Sequence, residues 1–198
     1  CLHGVLLKGQ VSRVTDWLGR LPADEVNRRT SLKLVSGWIL AQSERHAEAA
    51  ELMGQIIGDP GADEGDRCEA SEICGTAAFF ADEIDEMDRN ISLWSQSLPR
   101  FSTLRRLVGM NQAAVATLYR GAPDQSRHLY RDQPPDDGGI GRYTLGWRDW
   151  IIGISYLWEG QVDIASQKLR AALARAEDES GRRNPISVML ASALAVAR

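Results

Sequence analysis

Four times along this chain a small residue is followed by a tight turn and then by a second amphipathic run. The small residues are Gly37, Ala77, Ala114 and Gly153, spaced by 40, 37 and 39 residues. A near-constant period of this size constrains the fold to stacked helical hairpins. One two-helix unit cannot bury its apolar face alone, whereas a row of them builds a continuous core.

The fourth copy is the clearest. Ile152, Gly153, Tyr156, Gly160, Ala165, Leu169 and Ala172 stand at a spacing that resembles tetratricopeptide-type hairpins. Gly153 admits a neighbouring helix closely, Tyr156 fills the gap below it and Gly160 ends the first helix. Ala165 and Ala172 keep the second helix thin enough to nest. The first copy repeats this with Gly37, Leu40, Ala49, Met53 and Ile56. The second (Ala77, Phe80, Leu93) and third (Ala114, Thr117, Gly121, Ser126, Tyr130) are eroded. The expectation is an all-α, tetratricopeptide-like superhelix forming a single solenoid domain. About four antiparallel hairpins fall at 28–58, 64–98, 102–132 and 141–178, with flanking helices at 11–21 and 184–197.

Local signals fit that division. Val14, Trp17, Leu18 and Leu21 form a helical stripe closed by Pro22, and Asn27 or Thr30 is placed to cap the next helix. Asp59-Pro60-Gly61, Pro99 and Gly121-Ala122-Pro123 are breaks, and Gln133 to Gly139 predicts a long loop. No segment predicts a strand.

A hydrophobic content of 43% suffices for a core. The net charge of −4, with both signs interspersed, gives no cationic footprint for nucleic acid. The absence of a spanning apolar run or a secretory start predicts a cytoplasmic protein. Three cysteines do not make a disulfide framework, and Cys68 and Cys74 read as small helix-face residues. The run Ile186 to Val196 lacks the polar outer face that closes a solenoid, so the chain reads as a fragment of something longer.

Recognisable chemistry is missing from the pattern. His3, His46 and His128 have no ligand partner one turn away, and Asp137-Gly138-Gly139-Ile140-Gly141 lacks the lysine and strand of a phosphate loop. No serine lies in a nucleophile elbow. The carboxylates between Asp82 and Asp88 lack the alternation of a calcium loop and read as a solvated helix start that complements the helix dipole. The sequence predicts a non-enzyme without cofactor or metal.

The aromatics carry more information. On a helical hairpin, Trp147, Trp150, Ile154, Leu157 and Trp158 fall on the concave side, with Asn111 and Tyr119 at corresponding positions of the third copy and Trp38 and Gln42 in the first. Trp38, Asn111, Tyr119, Trp147, Trp150 and Trp158 are therefore the candidate ligand-binding residues, with Gln42 and Arg148 as polar handles. The alternative for each tryptophan is packing between helices, the role read for Trp17 and Trp94.

The stretch His3-Gly4, Trp17-Leu18, Leu21-Pro22, Arg28-Arg29, Leu32, Leu34 and Gly37-Trp38, followed by Ala47-Glu48-Ala49-Ala50-Glu51-Leu52, resembles the helical-repeat domain of MalT-like transcriptional activators of the LuxR family. The similarity is most specific across about residues 3–57. It implies a parent with an upstream signalling ATPase and a downstream helix-turn-helix domain. This segment would then be a regulatory superhelix that receives a small-molecule inducer, such as a maltotriose-like sugar, and passes its occupancy to the ATPase. The competing expectation is a general interaction scaffold whose groove takes a peptide or partner helix. A third is self-association through bare apolar end faces, for which Leu190 on the closing helix is the natural site of a charged substitution.

Overall fold

The computed structural model describes residues 11–93, 103–131 and 142–197. Among these residues every regular element is a helix and none is a strand. The expected loop over 133–139, together with His3, Trp94 and Pro99, lies outside the described residues. The chain divides into two compact units, with 11–93 in the first and 103–197 in the second.

The first unit holds α1 (Val11–Leu18), α2 (Ala23–Arg28), α3 (Thr30–Ala41), α4 (His46–Ile57), α5 (Glu64–Phe80) and α6 (Ile84–Ser92). The short α2 was not expected. Pro22 precedes it, Asp24 and Glu25 occupy its first turn, and Glu25 pairs with both Arg28 and Arg29. Asn27 consequently lies inside α2 and caps nothing. Thr30 is the first residue of α3, after Arg29 in an extended conformation that makes no side-chain cap. Asp59 Oδ1 accepts from Gly61 N at 2.8 Å in the turn after α4, and Asp63 caps α5 through Asp66 N at 2.6 Å. Helix α5 packs on α3, α4 and α6. Leu34, Ala49, Met53, Ile56, Ala70 and Ile73 form the core there. Val14 of α1 joins Val35 and Ile39 in a smaller cluster. Trp17, expected in the core, is instead half-buried beneath the Arg13 guanidinium, 4.7 Å from its ring centroid.

The second unit holds α7 (Thr103–Tyr119), α8 (Pro123–His128), α9 (Arg142–Trp158), α10 (Val162–Ser180) and α11 (Pro185–Val196). Helix α9 touches the other four. Two glycines seven residues apart on α9 explain how it takes neighbours so closely. A Cβ on Gly146 would lie 2.3 Å from Ile186 Cγ1 of α11, and one on Gly153 would lie 2.3 Å from Leu169 Cδ2 of α10. Around these contacts Leu169, Ala172, Ile186, Leu190, Ala193 and Leu194 form the core.

The hairpin turns correct the register of the second copy. Glu44, Asp82, Gly121 and Gly160 all have positive φ, at 58°, 61°, 81° and 73°. At each turn the next residue's backbone N–H donates to a carbonyl five residues earlier: Arg45 to Leu40, Glu83 to Ala78, Ala122 to Thr117 and Gln161 to Tyr156. Counting back seven residues from each positive φ gives Gly37, Gly75, Ala114 and Gly153, spaced by 38, 39 and 39. The second copy's reference residue is thus Gly75, not Ala77. With Gly75 as reference, Ala78 takes the place assigned by sequence to Phe80 and Ile91 the place assigned to Leu93: Ala78 and Ile91 are each 5% exposed, Phe80 and Leu93 43% and 71%.

Candidate functional site

Helix α9 carries three of the six candidate residues. Trp147 and Trp150 are three positions apart and share a face, their rings edge to face with centroids 5.8 Å apart. That face is covered: both indoles are half-buried and, with Ile154 and Leu157, pack on the cluster built from α10 and α11.

Asn111 is also an interior group. On α7, 7% exposed, it donates through Nδ2 to the Thr144 carbonyl at 3.0 Å and accepts at Oδ1 from the Tyr130 hydroxyl at 2.9 Å. Burial pushes the Tyr130 phenol well above its ordinary pKa. Arg148 pairs with Asp149 at 2.9 Å, and Asp149 reaches Arg175 of α10 at 2.8 Å. In the first unit Trp38 donates from Nε1 to the buried Glu69 carboxylate at 3.1 Å. These polar groups tie helices together.

Tyr119 and Trp158 are different. Each is the last residue of its helix, each sits five residues after its hairpin's reference position, and their rings lie 5.4 Å apart at 56°. They are 42% and 50% exposed. Phe80, 43% exposed, holds the same repeat position on the first unit, and Gln42 holds it in the first hairpin.

The end of α9 also carries a polar cluster invisible to local spacing. Arg127 of α8 donates from Nη2 to both carboxylate oxygens of Glu159 at 2.8 Å and from Nη1 to Ser155 Oγ at 3.2 Å. Its guanidinium stacks 4.2 Å from the Tyr156 ring centroid. Arg127 and Glu159 are 32 residues apart in sequence, so no motif announces the pair. It ties α8 to the end of α9.

No three His, Cys, Asp or Glu side chains among the described residues converge as metal ligands. In the acidic segment, Asp85 and Glu86 occupy the first turn of α6, and Glu86 pairs with Arg89. Cys74 is no activated nucleophile: burial, assisted by Glu86, pushes its thiol up to about 11. At pH 7 about one molecule in ten thousand then carries the thiolate. A disulfide reagent is expected to leave Cys74 unlabelled in the native protein at pH 7 and to label it at once in denaturant, as read by peptide mass. Rapid native labelling would contradict the half-buried, neutral thiol.

No family model, curated protein or solved structure matches the chain. Among the described residues every regular element is a helix, and none is long and apolar enough to cross a membrane.

Proposed function

We propose that this chain is a tetratricopeptide-like superhelical segment acting as a non-enzymatic regulatory part of a MalT-like, LuxR-family activator in the cytoplasm. In this reading it works by binding a peptide or partner helix. Support for the repeat reading comes from the four turns, which share one positive-φ residue and one backbone hydrogen bond at equal spacing. The family assignment rests on the sequence pattern over residues 3–57.

The observation that carries the binding mode is the exposed Tyr119–Trp158 pair. Large aromatics anchor partners when they present flat area at low entropic cost, and Trp and Tyr are enriched among such anchors. Trp147 and Trp150, which a sugar-stacking pocket on α9 would need, are spent on packing against α10 and α11. A contact surface is therefore favoured over an enclosed inducer site on that helix.

The test is a parallel titration of the protein with small sugars, short aliphatics and aromatic acids, and with a panel of amphipathic helical peptides. Tryptophan fluorescence and melting temperature are followed together. A peptide is expected to bind saturably and to lose at least about tenfold in affinity with Trp158→Ala, a change that leaves the melting temperature within a few degrees because Trp158 is half exposed. Saturable binding of a small sugar that survives Trp158→Ala would overturn this reading in favour of an inducer sensor.

A further inference from the structure

The four hairpin turns differ in one respect that follows the division into units. In the second unit the positive-φ position holds glycine, Gly121 and Gly160, whereas in the first it holds a carboxylate both times, Glu44 and Asp82. A left-handed backbone is costly for a residue with a side chain, so both carboxylates stand where glycine would sit without strain. Charge in this region is equally one-sided. Residues 44–93 hold fourteen Asp and Glu against three Arg and no Lys, in a chain whose net charge is only −4.

An aromatic ring lies at the same end of the first unit. Phe80 closes α5 two residues before Asp82, and it stacks on His46, which opens α4 two residues after Glu44, with centroids 6.4 Å apart and planes 19° from parallel. That contact brings the two turns together. Phe79 meets the Phe80 ring edge-on at 5.3 Å, yet Phe80 remains 43% exposed, at the repeat position that Tyr119 and Trp158 hold in the second unit. Directly after it in the chain, Asp82, Glu83, Ile84, Asp85, Glu86 and Arg89 line a shallow depression. The neighbouring cations are engaged, Arg45 with Glu48 and Arg89 with Glu86. Glu44, Asp82, Glu83 and Asp85 are exposed and form no salt bridge among the described residues. Helix capping does not account for Glu83, which stands at the N-cap of α6 without bonding a backbone N–H through its side chain.

We infer that Phe80, with the carboxylates of Asp82, Glu83 and Asp85, is a binding site for an arginine-bearing segment of a partner protein. The excess of negative charge selects a cation and repels phosphate backbones. The ring selects arginine over lysine, because a planar, weakly hydrated guanidinium stacks on an aromatic face while its N–H groups still donate to carboxylates. The second unit builds this arrangement from its own residues: Arg127 stacks 4.2 Å from the Tyr156 ring centroid and bonds both oxygens of Glu159. At Phe80 the ring and the carboxylates are present and the arginine comes from outside. The site belongs to the first unit alone and does not depend on the role proposed above.

The probe is a labelled heptapeptide of alternating arginine and alanine, compared with a lysine–alanine peptide of equal charge. Fluorescence anisotropy with the intact protein is expected to show saturable binding of the arginine peptide, at least about fivefold tighter than the lysine peptide and weakening as salt is raised. Phe80→Ala and the pair Asp82→Asn with Asp85→Asn should each cost at least about tenfold in affinity. Asparagine is suited to position 82 because it tolerates positive φ. Phe80→Tyr, which keeps the ring, should bind as the native protein does, and so should Glu51→Gln, which removes an exposed carboxylate from α4. The melting temperature of each variant shows that the fold is retained. Failure of the arginine peptide to bind, equal binding of the lysine peptide, or binding untouched by Phe80→Ala would overturn the inference, the last two by reducing it to unspecific charge attraction. Trp158→Ala should leave this binding unchanged, which separates it from the peptide contact at the Tyr119–Trp158 pair.

Discussion

Gly153→Ala is expected to destabilise the protein by about 2–3 kcal/mol, while Gly37→Ala, at the equivalent position of the first hairpin, should cost about 1 kcal/mol or less. Both glycines lie inside helices, and both would place a Cβ inside van der Waals distance of the second helix. What differs is the neighbour. At Gly153 the added methyl meets Leu169 at Cδ2 and Cγ, 2.3 and 2.5 Å away, and Leu169 is fully buried. The clash is at a branch point, so relief requires moving the whole side chain or α10 itself. At Gly37 the methyl meets Met53 at Cε and Sδ, 2.6 and 2.8 Å away, the far end of an unbranched thioether that rotates aside. Alanine also favours the helix over glycine by about 1 kcal/mol, which offsets much of the smaller clash. Urea denaturation of the two variants checks this. Equal losses would mean that the close approach at Gly153 is not what sets helix spacing in the second unit.

Asn111→Leu should lose about 2–4 kcal/mol, far more than one average hydrogen bond, because it strands two buried partners. The Thr144 carbonyl loses its donor and the Tyr130 hydroxyl loses its acceptor. Tyr130→Phe, which removes only the hydroxyl, should cost about 1 kcal/mol. Combining the two should cost less than their sum, since a phenyl ring no longer needs the acceptor that leucine deletes. Additive losses in thermal or urea unfolding would show that the two groups are not coupled, and that the role of Asn111 lies elsewhere.

The helix spans were legible because the apolar period and the breakers agreed at most boundaries. The turns were legible only where glycine marked them. Gly121 and Gly160 announce positive φ, whereas Glu44 and Asp82 adopt it without the residue that advertises it. That is why the second copy was misplaced by two residues. Gly75, Ala77 and Ala78 lie close together, all small and all buried, and only the turn geometry decides which one is the reference. The candidate site was less legible still. A helix wheel gives the face of Trp147 and Trp150 but not what packs there, which is a cluster drawn from α10 and α11 further along the chain. Asn111 reads from sequence as a candidate ligand-binding residue because its partners, Tyr130 and Thr144, are 19 and 33 residues away. Tyr119 and Trp158 emerged as an exposed pair because helix ends, unlike helix middles, have no next turn to bury them.

The paired glycine notches of α9 bear on cooperativity. Because Gly146 receives Ile186 of α11 and Gly153 receives Leu169 of α10 on one helix, the two outer helices are energetically joined through α9 as well as directly. A defect at either notch is expected to loosen both outer helices, which hydrogen exchange would register as one cooperative opening rather than two.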